Sequence, residues 1–171
     1  MQPTLEGFPL VVPIQIQWGD LDAYGHVNNV VYLRWFEHAR CVYGQKVGVE
    51  VVSREKGIGA LVASVNCKYL RQISFPGNIL AGIRVSRLSI GSVSLECTIA
   101  DAQTKVPVAE ASCDAVLYTI RSASRYQFPT KSDSPFSNWK AESLLCNHKP
   151  QGKSLFQSRL GIPARLNLKT L

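Results

Sequence analysis

Residues 18–40 read WGDLDAYGHVNNVVYLRWFEHAR, and the change of texture inside this stretch decides how the rest of the chain must fold. Its first half, from Gly19 to Asn29, is dense in Gly, Asp and Asn, residues that bond their own backbone and turn the chain. Its second half opens a run, Val30 to about Val47, with apolar residues on nearly every face and only Arg34, Glu37, His38 and Arg40 as early polar interruptions. Such a pattern predicts a buried helix, capped by Asn28 or Asn29, with Gly44 and Gly48 marking its fraying end.

Outward from the helix the period changes from helical to alternating. Upstream, LVVPIQIQW (10–18) alternates Ile14, Ile16 and Trp18 with Gln15 and Gln17, the signature of a half-buried strand, and Pro13 assigns that strand to an edge or a start. Downstream lie four segments rich in Val, Ile, Ser and Thr: Ile58 to Tyr69, Asn78 to Ser89, Ser92 to Asp101 and Pro107 to Ile120. Their separators are short and turn-like, so antiparallel neighbours are expected rather than helical crossovers. One strand, one long helix and four strands make an α+β fold. A single helix covers one face of such a sheet, so a greasy second face and an open edge remain to be explained.

The chain has 171 residues, 46% of them apolar, which is the size of one domain with one core. Charge divides it: residues 1–121 hold 11 Lys and Arg against 10 Asp and Glu, whereas residues 122–171 hold 8 against 2. The expected organisation is therefore a near-neutral domain over 1–121 and a basic extension over 122–171, irregular or partly disordered because it loses all periodicity and is rich in Ser, Lys, Asn and Pro. Trp139, Leu144 and Leu145 offer the alternative of docking on the core. The tail lacks interleaved basic and aromatic residues, so no nucleic-acid partner is expected. No stretch reaches the roughly 18 to 20 apolar residues of a membrane span, and the first twenty residues lack a signal pattern. Five scattered cysteines without a C-x-x-C pair fit a reducing compartment, and the expected location is cytoplasmic, with an organelle matrix left open. No cofactor and no metal set are expected.

The chemistry concentrates where the loop meets the helix. Free amides and the positive dipole end at a helix start can polarise a carbonyl, and a carboxylate one turn away can attack it or deprotonate a water. Taken alone, Asp22 on a Gly-rich turn reads as an Asx turn or a cap. Asp20 reads as structural, tying the loop through backbone N–H groups. Glu37, one helical step from Arg34 and Arg40, reads as an ion-pair member or a capped buried carboxylate, Tyr32 and Trp35 as core.

The same residues carry a family likeness. Asp20, Asp22, Gly25, His26, Val27, Asn28, Asn29, Tyr32, Glu37, Ala39 and Arg40 closely resemble the D-x-D-x-x-G-H-V-N-N-x-x-Y and E-x-A-R pattern of hotdog-fold thioesterases of the 4-hydroxybenzoyl-CoA thioesterase class, and the likeness runs over roughly residues 10–121. The resemblance implies a five-stranded antiparallel sheet wrapped around one long central helix. It further implies homodimers or tetramers with active sites between subunits. It implies hydrolysis of an acyl-CoA thioester, with Asp22 as nucleophile or general base and the amide near Asn29 polarising the carbonyl. Substrate contacts then fall to Gly25, His26, Asn28, Asn29 and Tyr32, with coenzyme A near Arg87 and Ser92; Glu37 is a minor candidate for the catalytic carboxylate. The chain departs from the pattern after Tyr69, where Leu70, Arg71, Gln72 and Asn78 replace a proline and an aspartate. A hydratase or dehydratase is the competing reading, disfavoured because Val27-Asn28-Asn29 rather than an acidic residue follows His26. A non-catalytic acyl-CoA-binding or assembly module with the basic tail as its partner-binding element is the other.

Overall fold

The computed structural model describes residues 5–49, 53, 57–89, 91–120, 122 and 124–125. Of the expected basic extension only Ser122 and Ser124–Arg125 fall within it, so docking of Trp139, Leu144 and Leu145 lies outside the described residues. The elements run β1 (Leu10–Gln15), a 3-10 turn (Trp18–Asp20), α1 (Asn29–Val47), β2 (Ile58–Tyr69), β3 (Asn78–Ser89), β4 (Ser92–Asp101), β5 (Pro107–Thr119) and β6 (Ser124–Arg125). The strands form one antiparallel sheet in the order β1-β3-β4-β5-β2, with the two-residue β6 added beside β5. This is the α+β hotdog arrangement, a five-stranded antiparallel sheet around one helix.

The first strand is shorter than its alternation predicts. It leaves the sheet at Gln15 instead of Trp18, because the Asp20 carboxylate accepts the Gln17 N–H at 2.8 Å and the Asp20 N–H reaches the Gln17 carbonyl at 3.0 Å, winding residues 18–20 into a 3-10 turn. Ile16 stays buried, its N–H on the Gly77 carbonyl at 3.0 Å. Pro13 sits as expected on an edge strand, since among the described residues β1 pairs with β3 alone.

At its start α1 is capped by Asn28, whose side-chain oxygen accepts the Val30 N–H at 3.0 Å. At its end the sequence expectation needs correction: Gly44 stays inside an intact helix, and only Gly48, at φ +81°, takes the left-handed turn that stops it. Nor is the helix buried all round. Val31, Tyr32, Trp35, Phe36, Ala39 and Tyr43 make one inward stripe, while Val30, Glu37, His38 and Cys41 are exposed. The stripe packs on alternate residues of the sheet, Ile79, Ala81, Ile83 and Val85 of β3, Cys97 and Ile99 of β4, and Ala109, Ala111 and Cys113 of β5. Phe36, fully buried at the centre, would leave a cavity worth about 3 to 5 kcal/mol if cut to Ala.

The two edges of the sheet differ. Against the short, proline-bearing β1, β2 is twelve residues long, and its outer edge pairs with nothing among the described residues. Leu61, Val62, Val65 and Tyr69 stand exposed along it. The open edge expected from the sequence is therefore β2.

Candidate active site

The loop ahead of α1 is a small closed hairpin. Leu21 and Val27 form an antiparallel bridge, the Asp22 N–H donates to the His26 carbonyl at 2.8 Å, and Gly25, at φ +74°, supplies the reversal that a side chain would strain. The hairpin is fastened to its surroundings at both sides: the Val27 N–H donates to the Ile73 carbonyl at 2.9 Å, and the Asn28 N–H to the Asp20 carbonyl at 2.9 Å. Two residues from Asp22, therefore, the chain is bonded to the helix cap.

Asp20 and Asp22 divide the work. Asp20 is 3% exposed and accepts from the Gln17 amide and from the Arg34 guanidinium, a brace between loop and helix. That is the structural role its position suggested. Asp22 is half-buried, and its Oδ1 accepts the Tyr24 N–H at 2.9 Å and the His26 N–H at 3.3 Å. This is the Asx turn the residue type alone predicts. It also orients the carboxylate, because the second oxygen, Oδ2, carries no hydrogen bond among the described residues. At the adjoining helix start the Asn28 side chain takes the Val30 amide and the Asn28 carbonyl the Val31 amide, while the Asn29 amide has no acceptor among the described residues. The site thus holds a fixed carboxylate with one uncommitted oxygen and, two hydrogen bonds along the backbone, an uncommitted helix-start amide.

Sequence reasoning gave Tyr69 no role, yet its hydroxyl donates to the Asn29 carbonyl at 3.0 Å and its ring meets Tyr32 edge-on at 5.3 Å. This ties the end of β2 to the start of α1; a contact forty residues apart leaves no local sequence signal. Tyr32 is buried, also packs against Trp35 at 5.2 Å, and is core-like as its size suggested. Burial, helped by neighbouring Cys67 and Tyr69, pushes its hydroxyl up to about 12. Burial likewise raises the thiols of Cys67, Cys113 and Cys97, the last to about 12, so none of these is an activated nucleophile.

The remaining candidates lie elsewhere. Glu37 is exposed and makes no ion pair among the described residues; Arg34 turns to Asp20, and Arg40 stacks over Phe36 at 5.1 Å. The ion pair expected of Glu37 is therefore absent, because a buried carboxylate fourteen residues away competes for Arg34 better than an exposed neighbour does. Arg87 is exposed on β3, 4.0 Å from Asp114, and Ser92 opens β4. Asp22 follows β1 at the Asn78 end of the sheet, and Arg87 lies nine residues on, about 30 Å along the strand. Within one chain, Arg87 and Ser92 are not brought to the Asp22 loop. No group of three or more His, Cys, Asp or Glu side chains among the described residues could hold a metal ion, and no helix among them is long and apolar enough to cross a membrane.

Comparisons with known proteins converge. The protein YsmA of Bacillus subtilis (strain 168) is 35% identical over 82 residues, covering 48% of this chain and 53% of its own. The chain spans about half the length of the curated relatives it matches. Among solved structures, the PA5185 protein of Pseudomonas aeruginosa strain PAO1 aligns with a TM-score of 0.67 at 31% identity, over 75% of this chain and 90% of that one. A thioesterase from Thermus thermophilus, complexed with coenzyme A and Zn, aligns with a TM-score of 0.61 at 27% identity, over 72% of this chain and 93% of that one. The sequence model of the Thioesterase-like superfamily matches residues 16–143, three-quarters of the length, and the chain belongs to that superfamily.

Proposed function

We propose that this protein hydrolyses an acyl-CoA thioester to a free acid and coenzyme A, with Asp22 as nucleophile or general base and the helix-start amide at Asn29 polarising the thioester carbonyl. The observation that carries the reading is the split state of the Asp22 carboxylate: one oxygen fixed by two backbone amides, the other uncommitted, on a hairpin bonded to the capped start of α1. A carboxylate so fixed loses little freedom on attack, and an unpaired amide stabilises the developing oxyanion. His26, Gly25 and Asn28 shape the hairpin through their backbones, which supports a positioning role for them. Membership of the superfamily and the likeness to a thioesterase bound to coenzyme A support the substrate class.

The working unit in this reading is a pair of chains joined along β2. A long, exposed, apolar edge is a template for another strand, and a second copy supplies one. Antiparallel pairing of two β2 edges would bring the Ile58 end of one copy to the Tyr69 end of the other. The Ile58 end lies near Ser92, since Leu61 pairs with Val116 and Val116 with Ser92. Such pairing would shorten the separation of Arg87 and Ser92 from an Asp22 loop, now that of the second copy, and supports a coenzyme A contact there.

Thiol release from a panel of acyl-CoAs tests the chemistry. Asp22→Asn keeps the two amide bonds available to a side-chain oxygen while removing the charge, so turnover should fall by about a hundredfold or more with the fold intact. Full turnover in that variant would remove Asp22 from the reaction.

A further inference from the structure

The short run from Tyr69 to Ile73 touches both halves of the Asp22 site. At one end the Tyr69 hydroxyl donates to the Asn29 carbonyl at 3.0 Å, in the first turn of α1. At the other the Ile73 carbonyl accepts the Val27 N–H at 2.9 Å, on the hairpin that carries Asp22. The run between is fixed to the sheet, because the Leu70 and Arg71 amides both donate to the Val108 carbonyl of β5, at 2.8 and 3.1 Å. The Ile73 backbone also meets the Tyr32 hydroxyl, and the Tyr32 ring lies edge-on to that of Tyr69. Carboxylate and amide are thus held to one stretch of chain as well as to each other.

This second hold matters because the Asn29 amide is a lone donor with no acceptor of its own among the described residues. A donor stabilises an oxyanion only at about 2.7 to 3.1 Å from it, so its direction has to be set before the substrate arrives. The bond from the Asn28 N–H to the Asp20 carbonyl joins helix start to hairpin, but a single bond is a hinge about which the first turn can rock. The Tyr69 hydroxyl reaches the next residue from another element and removes that freedom. The Asn28 side chain cannot do so, since its bond to the Val30 amide lies within the turn and moves with it. The Tyr69 hydroxyl also meets the Asn29 side chain and the Cys67 thiol, further polar contacts that keep it at this turn.

We propose that Tyr69 is a positioning residue for thioester hydrolysis: by holding the Asn29 carbonyl to the end of β2, it aims the Asn29 amide at the oxygen that becomes negative when the thioester is attacked. The inference rests on the thioesterase reading and adds to it a residue that acts through the amide, not on the substrate.

Steady-state kinetics of the full-length Tyr69→Phe variant, over the panel of acyl-CoAs, test it. The ring stays against Tyr32, and because Tyr69 is 45% exposed, water answers the freed Asn29 carbonyl without tying it to β2. kcat should fall about tenfold, less than the hundredfold or more lost with an oxyanion donor itself, while KM stays within about twofold. The loss should be the same for every acyl group the parent accepts, and the melting midpoint should move by less than about 3 °C. Tyr43→Phe, which removes the same oxygen near the far end of the helix, should leave kcat unchanged. A kcat kept within about twofold in Tyr69→Phe overturns the inference, as does a loss confined to KM or to one acyl group, which would put Tyr69 on the substrate. An equal loss in Tyr43→Phe would trace the effect to the helix as a whole and overturn it too. A parent inert to the whole panel sinks the thioesterase reading and takes this inference with it, whereas an active parent matched by Tyr69→Phe sinks this inference alone.

Discussion

At the amino end of α1 polar groups are answered from within the chain: buried Asp20 by the Gln17 amide and Arg34, the Val30 amide by Asn28, the Asn29 carbonyl by Tyr69. At the carboxyl end the Tyr43 hydroxyl and the Arg40 Nε are buried beside an apolar cavity, with no hydrogen-bond partner among the described residues. One helix thus joins a braced end, where the carboxylate is held still, to an end whose buried donors go unanswered. Polar groups satisfied internally rigidify their surroundings, whereas unsatisfied ones cost stability unless a ligand answers them. The contrast predicts that substitutions at the two ends have opposite signs.

The largest effect is expected at Asp20. Removing its side chain by Asp20→Ala strands the Gln17 amide and unties Arg34, but Arg34 is 62% exposed and recovers its hydration. The cost therefore falls below that of breaking a fully buried pair, at about 2 to 4 kcal/mol. Urea unfolding measures it, and a loss under about 1 kcal/mol would mean that the amino end is not braced through this residue. The freed hairpin should also lower thioesterase turnover, since Asp22 hangs two residues from the lost brace.

A smaller loss is expected at the cap. Asn28→Ala removes the acceptor for the Val30 amide, worth about 1 kcal/mol at a helix start. Because Asn28 is half-buried and its backbone N–H still reaches Asp20, the hairpin should keep its place. A retained near-full turnover together with the lowered urea midpoint would separate the cap from the chemistry. A collapse of turnover matching that of Asp22→Asn would join them.

Legibility in the sequence followed the range of the interaction. Strands β2, β3 and β4 begin and end where their alternation and turn residues put them, because a half-buried antiparallel strand writes its period into adjacent residues. The cap at Asn28 and the structural role of Asp20 were legible for the same reason, since each acts within three residues of itself. What failed was non-local. The alternation of Ile14, Ile16 and Trp18 continues past the point where Asp20 pulls the chain off the sheet. Glu37 lost its expected partner to a carboxylate outside the helix, and Gly44 stays helical because Gly48, not Gly44, meets the left-handed turn. Tyr69 on Asn29 and the cavity beside Tyr43 arise between elements distant in sequence and have no periodic trace.

The smallest effect, and the one that bears most directly on the contrast, is expected from Tyr43→Phe. Burial alone raises the Tyr43 hydroxyl above its ordinary pKa, with no hydrogen bond drawing it back, whereas at Tyr32 the Ile73 backbone opposes the rise. Removing the Tyr43 oxygen while keeping the ring discards a buried donor that contributes no bond, and leaves the packing of the inward stripe in place. In the ligand-free protein the stability to urea should therefore stay within about 0.5 kcal/mol of the parent or rise, the reverse of Asp20→Ala. A fall of more than about 1 kcal/mol would show that the hydroxyl is satisfied in solution, and the two ends of α1 would then no longer differ in how their polar groups are answered.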